Sequence, residues 1–170
     1  MAAAPLTPDH ALRWLAHANR VAQRAMAMGR HPFGAVLVGP DGDTLLAEQG
    51  NINTVNHAES TLARQAADNW PAELLAACTL VTTFEPCAMC AGTIYWAGIG
   101  GVLYGAAETD LLTLTGNHPE NPTLDVPCRL VFERGQRPVT VQGPVPQARD
   151  SLLALHQGFW ASRGGSLGSQ

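Results

Sequence analysis

The chain contains no lysine, so all ten of its basic residues are arginine, set against 14 acidic ones for a formal net charge of −4. Charge of either sign is scarce, at 14% of 170 residues. An acidic chain with dispersed arginines lacks the electrostatic footprint of a polynucleotide binder, so no nucleic-acid partner is expected. Cysteine is also sparse, at Cys78, Cys87, Cys90 and Cys128. Three of these lie close together, which argues against a secreted disulfide framework and for a reducing, cytoplasmic compartment. The opening Met1-Ala-Ala-Ala-Pro5 has neither a basic segment nor an apolar run, so no secretory leader is expected there. Pro86 to Ala107 carries no formal charge and imitates a membrane span. Glycines at 92, 98, 100, 101 and 105 break it, and it reads better as a buried helix running into a buried strand. A soluble protein with no membrane partner follows as the expectation.

Hydrophobic residues, by contrast, make up 46% of the chain. That is enough for one domain of ordinary size to bury a substantial core, or a subunit contact besides. The domain is expected to span residues 1–162. Residues 163–170, rich in glycine and serine, read as a flexible tail.

Thr7-Pro8-Asp9 has the form of a helix start, with a hydroxyl cap, a proline at the first helical position and an early acid. Trp14, Ala18, Val21, Ala25 and Met28 recur at helical spacing until Gly29. Phe33 to Val38 and Thr44 to Ala47 read as strands joined by the turn Gly39-Pro40-Asp41-Gly42. A polar loop leads to a helix that His57 opens and that reaches about Asn69. Thr79 to Phe84 is a third strand, Cys87 to Ala97 a helix and Val102 to Ala106 a fourth strand. Glu108 to Pro127 contains two prolines in Gly116–Pro122 and reads as an irregular loop. Val139 to Val141 is a short fifth strand, and Ala148, Leu152, Leu155 and Phe159 mark a last amphipathic helix. A hairpin followed by strands alternating with helices implies an α/β fold, a three-layer α/β/α sandwich around one mixed five-stranded sheet.

The chemistry is concentrated in His57-Ala58-Glu59 and Pro86-Cys87-Ala88-Met89-Cys90. A C-x-x-C alone fits a redox pair, half a zinc ribbon, or chance. A lone histidine at a helix start is more often a capping or core residue. Neither accounts for the two segments together, each opening an apolar helix. Two thiolates and one imidazole suit zinc, and a catalytic zinc site keeps three protein ligands so that water can occupy the fourth position. Zinc lowers the pKa of that water to about 7. Cys87 and Cys90, three residues apart in a first helical turn, present their sulfurs on one face, where free amides and the positive dipole end favour thiolate. Glu59 has no use in a structural zinc site and reads as a proton shuttle, a task suited to a carboxyl whose pKa an apolar pocket raises. The spacing H-x-E then P-C-x-x-C is the signature of zinc-dependent base deaminases.

On Pro32-Phe33-Gly34-Ala35-Val36, Asn51, His57-Ala58-Glu59 and Glu85-Pro86-Cys87-Ala88-Met89-Cys90-Ala91-Gly92, the chain resembles the cytidine deaminase-like superfamily. The resemblance runs from about Leu12 to Ala107 and lies with the branch of bacterial guanine deaminases and tRNA adenosine deaminases, so 1–162 is expected to be one CMP/dCMP-type deaminase domain. It implies a five-stranded sheet, one Zn2+ per subunit held by His57, Cys87 and Cys90, Glu59 as catalytic residue, and a homodimer or larger oligomer. It also implies that an asparagine before the histidine binds the base. Asn51 is that position, with Asn53 its near rival, because the linker to His57 is shorter here than in the family. Ala58, inside the histidine motif, belongs to the same expected substrate site.

The substrate implied is a small nucleobase or nucleoside, guanine-type purines foremost. Ile94-Tyr95-Trp96-Ala97 is similar to guanine deaminases, in which that tryptophan lines the base pocket, and Phe33 supplies an opposing aromatic wall. The family's acidic element beyond the fourth strand is missing, and Asp110, Glu120 or His118 are the loop residues able to stand in for it. Alternatives are a tRNA adenosine deaminase, for which Arg13, His17, Arg20 and Arg24 form a basic stripe, a cytosine deaminase, and a non-enzymatic zinc module completed by Cys78 or Cys128.

Overall fold

Thr7 caps the first helix, α1 (Pro8–Ala27), its hydroxyl accepting the His10 N–H at 3.3 Å. Ala11, Trp14, Leu15, Ala18, Val21, Ala22 and Ala25 form the buried stripe that the spacing predicts. The computed structural model describes residues 2–163. After α1 come β1 (Gly34–Val38), β2 (Leu45–Gly50), α2 (Ala58–Asn69), α3 (Ala72–Leu75), β3 (Thr79–Phe84) and α4 (Ala88–Ala97). The chain continues through β4 (Gly101–Ala106), α5 (Glu108–Thr115), α6 (Cys128–Glu133), β5 (Thr140–Gln142) and α7 (Pro146–Ala161). The strands form one mixed sheet in the order β2-β1-β3-β4-β5, with β1 antiparallel to both neighbours and β3, β4 and β5 parallel.

Period-two alternation in β1 divides the core into two layers. Val36 and Val38 face Trp14, Leu15 and Val21 of α1 and Leu152 of α7. Ala35 and Leu37 face Leu62 and Ala66 of α2, Ile94 of α4 and Phe132 of α6. The expected three-layer α/β/α sandwich is therefore the observed one. Gly34 sets the spacing between α1 and the sheet. A Cβ there would lie 2.3 Å from the Ala18 carbonyl oxygen, so only glycine lets β1 approach this closely.

Strand register gathers the functional segments at one edge. Gly34 pairs with Gly50, Ala35 with Thr82 and Phe84 with Ala106. The start of β1 and the ends of β2, β3 and β4 therefore lie together. Phe33, Asn51, Glu85 to Cys87, and Ala107 to Glu108 are the residues just beyond them.

Three helices depart from the sequence reading. The span expected as an irregular loop holds α5 and begins the approach to α6, and α3 follows Pro71. Glu108–Thr115 carries three threonines and buries only Leu111 and Thr115, so local pattern and propensity are weak there. Tertiary contact holds it instead: Asp110 accepts the Ala107 N–H at 3.0 Å and pairs with Arg149 of α7 at 2.7 Å. Arg163, expected to begin the flexible tail, is engaged with Glu120 at 2.7 Å and the Gly29 carbonyl at 3.2 Å. The rest of that tail lies outside the described residues. No helix among those described is long and apolar enough to cross a membrane.

Candidate active site

His57 is the N-cap residue of α2 and Cys87 that of α4, both in extended backbone conformation, with Cys90 in the first turn of α4. The His57 Nδ1 lies 3.7 Å from the Cys87 sulfur and 3.5 Å from the Cys90 sulfur. Zinc–sulfur bonds of about 2.3 Å and zinc–nitrogen bonds of about 2.05 Å give a tetrahedral sulfur–nitrogen edge of about 3.6 Å. Both sulfur–nitrogen distances thus match the spacing that a zinc ion requires, and all three donor atoms lie within 4.8 Å of one another. The other ring nitrogen, Nε2, meets the Thr54 carbonyl at 3.1 Å, which directs the lone pair of Nδ1 toward the sulfurs.

No third cysteine joins this group among the described residues. Cys78 donates its thiol to the Leu74 carbonyl at 3.2 Å. Cys128 is buried, and its N–H is held by Glu85 at 3.0 Å. The Cys128→Ser variant is accordingly expected to retain one equivalent of zinc by elemental analysis. Loss of that metal would restore the closed four-ligand module.

Hydrogen bonding with Cys90 and His57 holds the Cys87 thiol down to about 4. The same contact with Cys87, then burial and the neighbouring Glu59, push the Cys90 thiol up. Contact with Cys87 raises His57 to about 9. A metal takes both sulfurs as thiolates and the ring nitrogen unprotonated, so its binding releases protons from this group. Glu59, only 5% exposed, is pushed upward chiefly by burial. Thr82 of β3 donates to its Oε1 at 2.9 Å, and the Cys90 thiol approaches its Oε2 at 3.6 Å. A buried carboxyl with a raised pKa beside three metal-type donors is equipped to hold and move a proton.

These groups open onto a cavity of about 460 Å³, a volume suited to a small molecule. Phe33 lines it, edge-on to Phe84 with ring centres 5.8 Å apart. Asn51 lines it too and is 2% exposed. Its Nδ2 donates to the Asn53 carbonyl at 3.2 Å, while Oδ1 has no partner. Asn53 faces away, its side-chain oxygen accepting the N–H groups of Val55 and Asn56.

Other expected contacts lie elsewhere. Trp96 does not line the cavity: it is 83% exposed and packs edge-on against Tyr95. It lies six residues past Cys90, which turns it to a different face of α4 about 9 Å further along the helix. The Ala58 side chain is sealed in the core, leaving only its main chain near the site. Asp110 is committed to Arg149, and His118 packs on Trp160 with ring centres 4.8 Å apart. Glu120 does reach the cavity rim, paired with Arg163.

Two acids gain roles that motif spacing does not reveal. Glu85 is buried at the end of β3; its Oε1 accepts the Cys128 N–H at 3.0 Å and its Oε2 the Glu108 N–H at 3.3 Å. It thereby ties α5 and α6 to the metal-ligand helix. Glu108 lines the cavity, and burial, followed by the nearby Cys87, Glu59 and Glu85, raises its carboxyl to about 8. The available signal was the order of the chain: Glu108 directly follows β4, at the edge where β3 delivers Cys87.

Comparison with known proteins agrees with this geometry. The family described as the cytidine and deoxycytidylate deaminase zinc-binding region matches residues 8–106. A probable cytosine deaminase of Schizosaccharomyces pombe is 33% identical over 157 residues, covering 88% of this chain and 91% of that protein. The guanine deaminase of Bacillus subtilis is 46% identical over 83 residues, covering 46% of this chain and 53% of that protein. Among solved structures, a mutant of NE0047 in complex with 8-azaguanine superposes with a TM-score of 0.70 at 26% identity, covering 89% of this chain and 85% of that one.

Proposed function

Because the chain belongs to the zinc-binding cytidine and deoxycytidylate deaminase family, we propose that His57, Cys87 and Cys90 hold one zinc ion and that the enzyme hydrolytically deaminates a free nucleobase or nucleoside, guanine-type purines foremost. The observation that carries this reading is the imidazole nitrogen set 3.5 and 3.7 Å from two sulfurs, beside a buried glutamate that is not one of the ligands. Bound zinc supplies a water acidic enough to act as nucleophile at neutral pH.

Overall, the ring C–NH2 and water give ring C=O and ammonia. Glu59 takes a proton from the attacking water and passes it to the adjacent ring nitrogen; it then takes the remaining proton of the added hydroxyl and delivers it to the amino group, which leaves as ammonia as the C=O bond forms. Thr82 fixes one oxygen of that carboxyl, so the other points toward the reacting atoms. Once Cys90 has given up its proton, Oε2 loses its thiol contact and is free for this transfer. Phe33 and Phe84 provide apolar surface for a flat ring. Asn51 offers its unpartnered oxygen to a ring N–H.

A small substrate is favoured over tRNA by the state of the basic stripe on α1. Arg13 pairs with Asp43 at 2.7 Å, His17 with Glu48 at 2.6 Å, and Arg24 with Glu48. Three of its four members are thus neutralised by carboxylates of the β1–β2 hairpin. A cytosine deaminase is the second reading, supported by the cytosine-named relative matching most of both chains. A homodimer belongs to the same proposal: Trp96, exposed on α4, supplies a large apolar side chain for a partner copy.

An ammonia-release screen over guanine, guanosine, cytosine, cytidine, adenine, adenosine and tRNA tests the reading. Turnover of guanine with little dependence on salt is the expected result. Salt-sensitive RNA binding with turnover of tRNA alone would replace it, and silence on every ring would end the deaminase reading.

A further inference from the structure

Four carboxylates line the cavity, and three of them are engaged. Glu59 accepts from Thr82 and meets the Cys90 thiol. Each oxygen of Glu85 accepts a main-chain N–H. Glu120 pairs with Arg163 at 2.7 Å and lies 3.5 Å from His31. Glu108 differs. Its N–H is anchored to Glu85, at the first position of α5, yet among the described residues its carboxylate has no hydrogen-bond or ion-pair partner. The backbone is fixed while the carboxyl remains available, and an N–H donated to it would favour its ionised, accepting form against the upward push of burial.

A second, independent observation points to an occupant of the same cavity. Asn51 Oδ1 is buried there and also lacks a partner. A buried acceptor left unmet is costly, so Asn51 Oδ1 marks where a donor belongs, and the half-buried Glu108 carboxylate faces the same cavity. We infer that Glu108 is the substrate-reading carboxylate of this enzyme, accepting one ring N–H while Asn51 accepts another, so that the preferred substrate is a 2-amino-6-oxopurine free base. The inference rests on the deaminase reading above and specifies its substrate.

Counting donors leads to that class. Apart from the amino group that departs, cytosine has one N–H, at N1, and adenine one, on its imidazole ring. Guanine has two, at N1 and on the imidazole ring. Only guanine satisfies both acceptors, and a sugar on the imidazole nitrogen would remove one of its donors. A site built to accept an N–H discriminates strongly against a ring that lacks it, because its own polar group is then left buried and unpaired.

The test uses the zinc-loaded full chain and its Glu108→Ala variant, which removes the acceptor while the main-chain bond to Glu85 remains. Steady-state kinetics are measured on guanine, 1-methylguanine, 9-methylguanine and cytosine, and 8-azaguanine binding is measured by calorimetry. Wild type is expected to prefer guanine over at least one methylated guanine by about tenfold or more. The variant is expected to erase that preference, raising KM for guanine about tenfold while kcat changes less than about threefold, and to weaken 8-azaguanine by a similar factor. Glu108→Asp should recover part of the loss. Glu108→Gln, which keeps one acceptor oxygen, should lose less than the alanine variant, and Glu108→Leu gives the same comparison as alanine if that variant fails to fold. An unchanged KM, or an equal loss on every ring including the methylated ones, would overturn the inference. Wild-type turnover with an indifferent Glu108 variant defeats this inference alone; a wild type inactive on every ring defeats it together with the deaminase reading.

Discussion

Glu59→Gln is expected to keep its full complement of zinc and to lose ammonia release by about a thousandfold or more. The substitution preserves volume and the contact with Thr82, whose hydroxyl can still donate to the amide oxygen. What it removes is the capacity to take up and return a proton. Because Glu59 is not among the three donors that face one another, metal content should stay at one equivalent. Elemental analysis and a coupled ammonia assay on the same preparation separate the two effects. Retained turnover would remove Glu59 from the proton pathway, and loss of zinc would make it a ligand.

The second large effect concerns stability as well as rate. Glu85→Ala leaves two main-chain N–H groups, those of Cys128 and Glu108, without their carboxylate. At about 1.5–3 kcal/mol for each hydrogen bond to a charged group, the expected loss is about 3–6 kcal/mol. Glu85→Gln, which keeps one acceptor, should lose about half as much. Urea unfolding of the zinc-loaded proteins measures both. Since the released segments carry Glu108 and reach the cavity wall, KM should rise in the alanine variant even where the folded protein remains abundant. Equal stability of all three proteins would show that Glu85 does not fasten α5 and α6.

The two effects differ in how far they could be seen in the chain. Glu59 is two residues from His57, and that spacing alone set it apart from an ordinary helix-start acid. Glu85 is next to the proline that precedes Cys87, but its partners are 23 and 43 residues away along the sequence. No local pattern announces a carboxylate that accepts from two distant main-chain groups. Trp96 shows the opposite case. Its place after the cysteines suggested the base pocket, and helix geometry carried it to the outer surface.

The apolar run of β1, alternation in β3, helical spacing in α1, and paired helix starts at His57 and Cys87 are local properties, each written within some twenty residues. They determined the sandwich, the family and the metal-type donors without reference to distant parts of the chain. The tertiary structure decided which acids are free. Asp110 is bound by Arg149 and Glu120 by Arg163, while Glu108 stays open to the cavity. The physical reason is that a carboxylate's availability depends on the charges and N–H groups that folding brings to it. In this protein those partners come from α5, α6, α7 and Arg163 just beyond α7, which only the packed layers bring against the edge of the sheet.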